Sequence, residues 1–477
     1  MEELSPNARR VLEARYLLRD ASWRAVEDFA ALCRRVAAAV AEAESGFGGG
    51  VDRTTEAFFH SLFGREFLPN SPCLMNAGTP LGQLAACFVL PVEDTIESIF
   101  EAAKRMAMIH QSGGGTGFSF SHLRPRGDRV QRTHGVASGP VSFLEVYDAA
   151  TGAIVQGGRR RGANMGVLRV DHPDIREFVH AKDDAGHISN FNLSVATTDA
   201  FWDAVERGDA FDLVNPRDGK VMRSIDPRGL LDEITGCAWA GGDPGVIFVD
   251  AVNRDNPTPH VGALEATNPC GELPLLPNES CNLGSIRLDR FVADGAIEWE
   301  RLDATVDLAV RFLDDVIEVS RHPFAEIEAV TRAGRKIGLG VMGFADLLVD
   351  LGVAYDSPEG VALAERLMAR IRARAERASA ALADERGVFP SFRGSPLEAK
   401  GKRLRNATVT SIAPTGTLSI LADCSGGIEP YFALAFVRHV LDGQHLPETN
   451  PRFEEALRRA GAWSEDLVAE VRRTGSV

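Results

Sequence analysis

ATNPCGELPLLPNESCNLGS, residues 266–285, carries two cysteines and three prolines in twenty residues, a mixture that suits neither a core strand nor a surface helix. Asn268, Cys270 and Glu272 fall at i, i+2 and i+4, which on an extended segment puts all three side chains on one face. Pro269 and Gly271 occupy the alternate positions. Proline cannot donate to a sheet ladder and glycine lets another backbone come close, so the segment reads as an inserted finger rather than a central strand. Pro274 and Pro277 deny a helix to the residues between and after them, and the chain is expected to fold back so that Cys281 comes near the same place. An amide, a thiol and a carboxylate on one face are expensive to bury without partners. A solvent-exposed loop with incidental thiols is the alternative, but a polar stripe alternating with Pro and Gly is hard to explain as packing. A Cys beside a Glu could be a nucleophile and its base, yet the finger holds no histidine, which leaves room for radical or redox work.

Outward from the finger, short apolar or alternating runs (ACFVL, GFSFS, MGVLRV, FNLSVA, GVIFVD) are interleaved with helical patterns such as 303–319 and 358–384. Strands alternating with helices predict an α/β domain with buried strands. Residues 5–46 carry helical periodicity, and Gly48, Gly49 and Gly50 break it, predicting a helical N-terminal module over 1–50, a linker, and a catalytic domain over 51–477. Four loops at strand ends attract attention: QSGGGTG (111–117), QGGRRRGANMG (156–166), NPCGE (268–272) and IAPTGT (412–417). Sites in α/β folds gather on such loops.

Composition narrows the classes. The 477 residues are 44% hydrophobic and 25% charged, with no apolar run long enough to span a bilayer. The acidic N-terminus is not that of a signal peptide, so a cytoplasmic protein is expected. A net charge of −15 argues against sequence-independent binding of nucleic-acid polymers. The seven cysteines include no C-x-x-C pair, so neither a disulfide scaffold nor a structural zinc site is expected. Cys33 and Cys237 read as small buried hydrophobes.

NPCGELPLLPNESCNLGSIRL (268–288) resembles the finger-loop signature of ribonucleotide reductase, and its Asn-Pro-Cys-Gly-Glu form resembles the adenosylcobalamin-dependent class II branch. Six further stretches are similar to that family in the expected order: REFLPNSPCLMNAG (65–78), ACFVLPVEDTIESIF (86–100), GGGTGFSFSHLRP (113–125), GGRRRGANMGVLRVDHPDI (157–175), IGLGVMGFADLL (337–348) and TSIAPTGTLSILADCSGGIEP (410–430). The resemblance implies a ten-stranded α/β barrel of two half-barrels around a central finger loop. It also implies reduction of ribonucleotides to deoxyribonucleotides by a thiyl radical.

By the same resemblance Cys270 would carry the radical and take the hydrogen from C3′ of the ribose, Glu272 would accept the 3′-hydroxyl proton, and Asn268 would hydrogen-bond within the cluster. Cys87 and Cys281 would supply the electrons and end as a disulfide, which requires a strand near residue 87 to lie beside the finger. Ala413, Pro414, Thr415, Gly416 and Thr417, with Ser71 and Pro72, would bind substrate phosphates; read alone, IAPTGT is equally an anion-binding nest or an ordinary turn. Arg159, Arg160 and Arg161 would belong to a specificity loop and Asp148 to an effector contact, although a triple arginine is also what a solvated basic run looks like. GGGTG lacks the strand-turn-helix context of a dinucleotide fingerprint and suggests close approach of a bulky ligand, for which the family offers cobalamin.

Implied partners are a ribonucleoside di- or triphosphate, a deoxynucleoside triphosphate effector, a thioredoxin-like or C-terminal cysteine reductant, and a second copy in a homodimer. Relatives continue beyond the region matching 430–477, so the last barrel strands are expected to be missing or to come from a complementary C-terminal chain. Two other readings stand beside this one: a class I large subunit that needs a separate radical-generating protein, and a nucleotide-binding fragment that does not turn over by itself.

Overall fold

The computed structural model describes residues 4–130, 135–156, 160–184, 186–440 and 444–475. Eight strands form one sheet: β1 (Phe67–Pro69), β2 (Cys87–Leu90), β3 (Gly115–Ser119), β4 (Asn164–Arg169), β5 (Phe191–Thr197), β6 (Gly245–Phe248), β7 (Glu279–Arg287) and β8 (Ile337–Met342). From β2 to β6 every neighbouring pair is parallel. Helices Ile96–Gln111, Pro140–Ala153 and Pro227–Gly241 lie in the crossovers that parallel pairing demands.

β7, nine residues long and buried throughout, is the seam of the sheet. Along one edge it meets β2 and then β1, both antiparallel; along the other it runs parallel to β8. Backbone bonds from Ile337 N to Thr408 O (3.2 Å) and Leu339 N to Val409 O (2.9 Å) lay residues 408–411 on the far side of β8. Two parallel arrays therefore join at the antiparallel β2–β7 pair, which is the expected half-barrel architecture. Eight strands share the sheet among the described residues, against the ten expected.

Alternation along the strands separates two cores. Phe88 and Leu90 of β2 and Leu168 of β4 face the outer helices. Cys87 and Val89, Met165 and Val167, and Cys281 and Leu283 face inward, around Leu273 and Leu275 of the finger.

The N-terminal helices Phe29–Ala41 and Val51–Phe63 share a core with helix Trp299–Val319. Helicity over 5–46 is interrupted at residues 17–28. There the Asp20 carboxylate accepts from the backbone N of Ser22 (2.8 Å) and Arg24 (3.0 Å), a local turn that competes with helix, and Asp28 then caps Phe29–Ala41. Gly48–Gly50 are not a linker. Gly48, at φ 72°, ends one helix and Gly50 caps the next, so the glycines form a tight corner between packed helices.

Cys33 is buried as expected, but Cys237 is only half-buried. Its helix, Pro227–Gly241, buries only Pro227, Leu230 and Ile234, and Trp239 beside it is 91% exposed. Among the described residues no helix is long and apolar enough to cross a membrane.

Candidate active site

The finger is a short hairpin in which Ala266–Thr267 pairs antiparallel with Pro274–Leu275. Its tip, Asn268-Pro269-Cys270-Gly271, is a β-turn closed by Gly271 N donating to Asn268 O at 3.0 Å, with Gly271 at φ 85°. Asn first, Pro second and Gly fourth are the preferences of a type I turn, a local signal that the extended-stripe reading passed over. The correction changes how the three residues relate. Asn268 and Glu272 face one another across the hairpin, while Cys270 is exposed at its tip.

Asn268 is held on both sides. Its Oδ1 accepts from Leu273 N at 3.0 Å, which aims Nδ2 at Glu272 Oε2 (2.6 Å) and Cys87 Sγ (3.2 Å). One amide thus bridges a carboxylate and a thiol that lie far apart in the chain. Burial raises the Glu272 carboxyl above the ordinary carboxylate range, with the Asn268 bond opposing.

Glycines admit the finger to the barrel. A Cβ on Gly117 would overlap the Thr267 carbonyl, and one on Gly115 would lie 2.7 Å from Pro269 Cγ. On β8, a Cβ on Gly340 would overlap the Ser411 carbonyl. GGGTG therefore serves chiefly the protein's own backbone rather than a bulky ligand. Gly113 is the exception: it sits at φ 93° with nothing nearer its missing Cβ than Pro72 Cγ at 3.8 Å, and it lines the cavity that opens onto the finger.

Cys87 and Cys281 are directly opposite in the β2–β7 ladder. Residues so paired have Cα atoms about 4.5–5.5 Å apart, inside the range of about 4.4–6.8 Å that a disulfide spans. The expected strand beside the finger is β2. Both thiols are buried, and burial pushes both well up from the ordinary range, reinforced by Glu272 for Cys87 and by Glu279 for Cys281. Cys281 Sγ donates to Lys336 O at 3.3 Å. Lys336 Nζ meets Glu279 Oε2 at 2.7 Å in a fully buried pair that no sequence pattern flagged, since its partners are 57 residues apart.

The cavity, of about 140 Å³, opens onto this cluster. Cys87, Asn268, Cys270 and Glu272 line one side; Ser71, Pro72 and Ala413–Thr417 line another. Thr415, at φ 53°, begins helix Gly416–Ala422, and its hydroxyl accepts from Gly427 N at 2.8 Å. Two neighbours went unread in the sequence: Arg15 Nη1 donates to Thr417 Oγ1 (2.8 Å) and Tyr16 Oη pairs with Ser71 Oγ (2.8 Å). Nothing in the helical run around Arg15 and Tyr16 distinguishes them. Cys73 turns away from the cavity and is fully buried.

The residues suggested for effector binding are not gathered at this cavity. Asp148 Oδ1 accepts from Asn190 N (2.7 Å) and Nδ2 (3.1 Å), bracing the turn before β5. Arg160 and Arg161 pair in backbone with Val155 and Gln156; their side chains, and all of Arg159, lie outside the described residues.

Residues 85–477 match the family described as "Ribonucleotide reductase, barrel domain", and residues 2–82 match "Ribonucleotide reductase, all-alpha domain". A vitamin B12-dependent ribonucleoside-diphosphate reductase of Mycobacterium tuberculosis is 54% identical over all of this chain and 69% of its own length. One of Thermoplasma acidophilum is 49% identical, again over all of this chain and 69% of its own length. With a finger hairpin inside paired half-barrels and this degree of likeness along its whole length, the chain belongs to the ribonucleotide reductase family, in its vitamin B12-dependent branch.

Proposed function

We infer that this protein is a cytoplasmic, adenosylcobalamin-dependent reductase that converts ribonucleoside diphosphates to 2′-deoxyribonucleoside diphosphates. The observation that carries the reading is the Asn268 amide joining Glu272 to Cys87, with Cys281 opposite Cys87 and Cys270 at the tip beside them.

The residues around Cys270 suit a large initiator. Its thiol is exposed, and the cavity wall beside it includes Pro72, Gly113 and Ala163, which project little side chain. Pro72, Gly113 and Ala163 would hold adenosylcobalamin beside the tip, where it would supply hydrogen-abstraction chemistry to the Cys270 thiol. Cys87 and Cys281 are buried, so the tip thiol is the one such a group can reach.

Cys270 then takes the hydrogen from C3′ of the ribose while Glu272 accepts the 3′-hydroxyl proton. A carboxylate with raised proton affinity, held by Asn268, is suited to that transfer. The 2′-hydroxyl leaves as water, protonated by a thiol. Cys87 and Cys281 give up two electrons and two protons, one proton leaving in the water and one going to C2′, and form one S–S bond; Glu272 returns its proton to the 3′-oxygen, and Cys270 returns its hydrogen to C3′ and is again the thiyl. Ser71, Pro72 and the backbone of Ala413–Thr417 receive the diphosphate, with Arg15 adding positive charge behind Thr417. Burial around the cluster keeps water from a reactive intermediate. Arg159–Arg161 serve base selection with a deoxynucleotide effector, in a homodimer, and an external dithiol restores the reduced pair.

The test is reduction of a ribonucleoside diphosphate with adenosylcobalamin and dithiothreitol. Turnover by wild type and none by Cys270→Ser is expected; activity surviving that substitution removes Cys270 from the radical role.

A further inference from the structure

We infer that His180, Asp183 and Cys237 form a binding site for a divalent transition-metal ion of the zinc type, on the outer face of the first half-barrel and apart from the reductase cavity. His180 follows helix Ile175–Val179, and Asp183 N bonds back to His180 O at 3.1 Å, so the two side chains leave one turn together. Cys237 comes from helix Pro227–Gly241, which packs alongside. The three donor atoms lie within 4.8 Å of one another, although the residues are spread over 58 positions of sequence. That spread is why no metal-ligand spacing was visible in the sequence.

The distances fit a coordination shell. With metal–ligand bonds of about 2.0–2.3 Å, the edges of a tetrahedron are about 3.3–3.8 Å. Cys237 Sγ is 3.5 Å from His180 Nδ1 and 3.6 Å from Asp183 Oδ1, so two edges already have that length. His180 Nδ1 is hydrogen-bonded to the other carboxylate oxygen, Asp183 Oδ2, at 2.7 Å, a contact that a cation would replace, with a small rotation of the carboxylate bringing one oxygen to the shared corner. The fourth corner faces solvent, since His180 and Asp183 are both about half exposed.

The imidazole is also oriented as a ligand. Glu233, one turn before Cys237 on the same helix, places Oε2 3.5 Å from His180 Nε2, and Arg176 holds Glu233 from the other side at 3.2 Å. A carboxylate behind the outer nitrogen of a histidine whose inner nitrogen faces a thiol and a carboxylate is the usual support of a metal-bound imidazole. One sulfur, one nitrogen and one oxygen donor favour zinc, or cobalt in its place, over magnesium or calcium. A nucleophilic role fits less well, because partial burial and Asp183 raise the Cys237 thiol rather than activating it. A cation at this point would remove that repulsion and tie the turn carrying His180 and Asp183 to the helix.

The experiment adds Co²⁺ to the purified, reduced protein and follows thiolate-to-cobalt charge-transfer absorption. One equivalent should bind, and zinc should displace it. The band should vanish in Cys237→Ser, persist in Cys270→Ser, and require about 10–100-fold more cobalt in Glu233→Gln. Asp183→Asn, at an exposed position, gives a second variant whose folding is not at risk, and it should weaken binding likewise. No band in the wild type, or a band that survives in Cys237→Ser, overturns the site.

Discussion

Cys87 and Cys281 face each other across the antiparallel pair that joins the two half-barrels. Their separation is set by strand register rather than by any mobile segment, so closing the bond needs side-chain rotation and little backbone movement. Oxidising the protein in the absence of reductant should therefore produce a Cys87–Cys281 crosslink in peptide maps. Cys87→Ser and Cys281→Ser should each abolish it and stop turnover with external dithiol. A map dominated by a Cys270 crosslink instead would be inconsistent with the pairing.

Gly117 on β3 is the point where the finger backbone touches the barrel wall, and a Cβ there cannot coexist with the Thr267 carbonyl. Gly117→Ala should push the hairpin off the strand, costing about 1–3 kcal/mol as an overpacked contact does, and should lower turnover by more than the stability loss explains. Thermal melting and activity on the same sample separate the two effects. Wild-type turnover in a folded Gly117→Ala protein would mean that the finger does not need this contact.

The buried pair of Lys336 and Glu279 offers a test of what supports Cys281. Removing the cation in Lys336→Met leaves an uncompensated carboxylate in the interior, a change that destabilises by about 3–5 kcal/mol. Adding Glu279→Gln removes the unpaired charge, so the double variant should recover part of the lost melting temperature. Additive losses would show that the two groups do not act as a pair.

Sequence range decides which of these features were legible beforehand. MGVLRV was legible because burial on both faces leaves a mostly apolar run, now β4, and FNLSVA because its apolar residues alternate with Asn192 and Ser194, now β5. Helix Pro358–Arg386 was legible from its periodicity over 358–384. The pairing of Cys87 with Cys281 was not, because register between distant strands has no local signature; it came only with the family resemblance. The finger shows the opposite failure. Asn-Pro-Cys-Gly states its turn locally, yet an alternation of polar residues with Pro and Gly also satisfies a strand pattern, in which Asn268 and Glu272 would share a face about 13 Å apart rather than meet across a hairpin. Gly115 and Gly117 were noticed but assigned to a ligand, since a sequence does not reveal whether a missing Cβ makes room for a cofactor or for the chain itself.

Alkaline pH should loosen the fold through its buried thiols. Burial raises Cys33, Cys73, Cys87, Cys281 and Cys424 above the ordinary thiol value in the folded state. An unfolded thiol titrates near about 8.5, so above that pH the unfolded chain loses protons that the folded chain keeps. The stability contributed by each thiol is therefore complete below about pH 8.5 and is lost as the pH rises toward the folded value, at about 1.4 kcal/mol per pH unit per thiol. Melting temperatures should be level in their thiol contribution up to about pH 8 and fall steeply between about pH 9 and 10. Cys33 and Cys73 lie in the helical core away from the dithiol, so a Cys33→Ala, Cys73→Ala double variant should lose about two fifths of that thiol-dependent slope and keep its turnover. An unchanged slope in that variant would assign the alkaline transition to other groups.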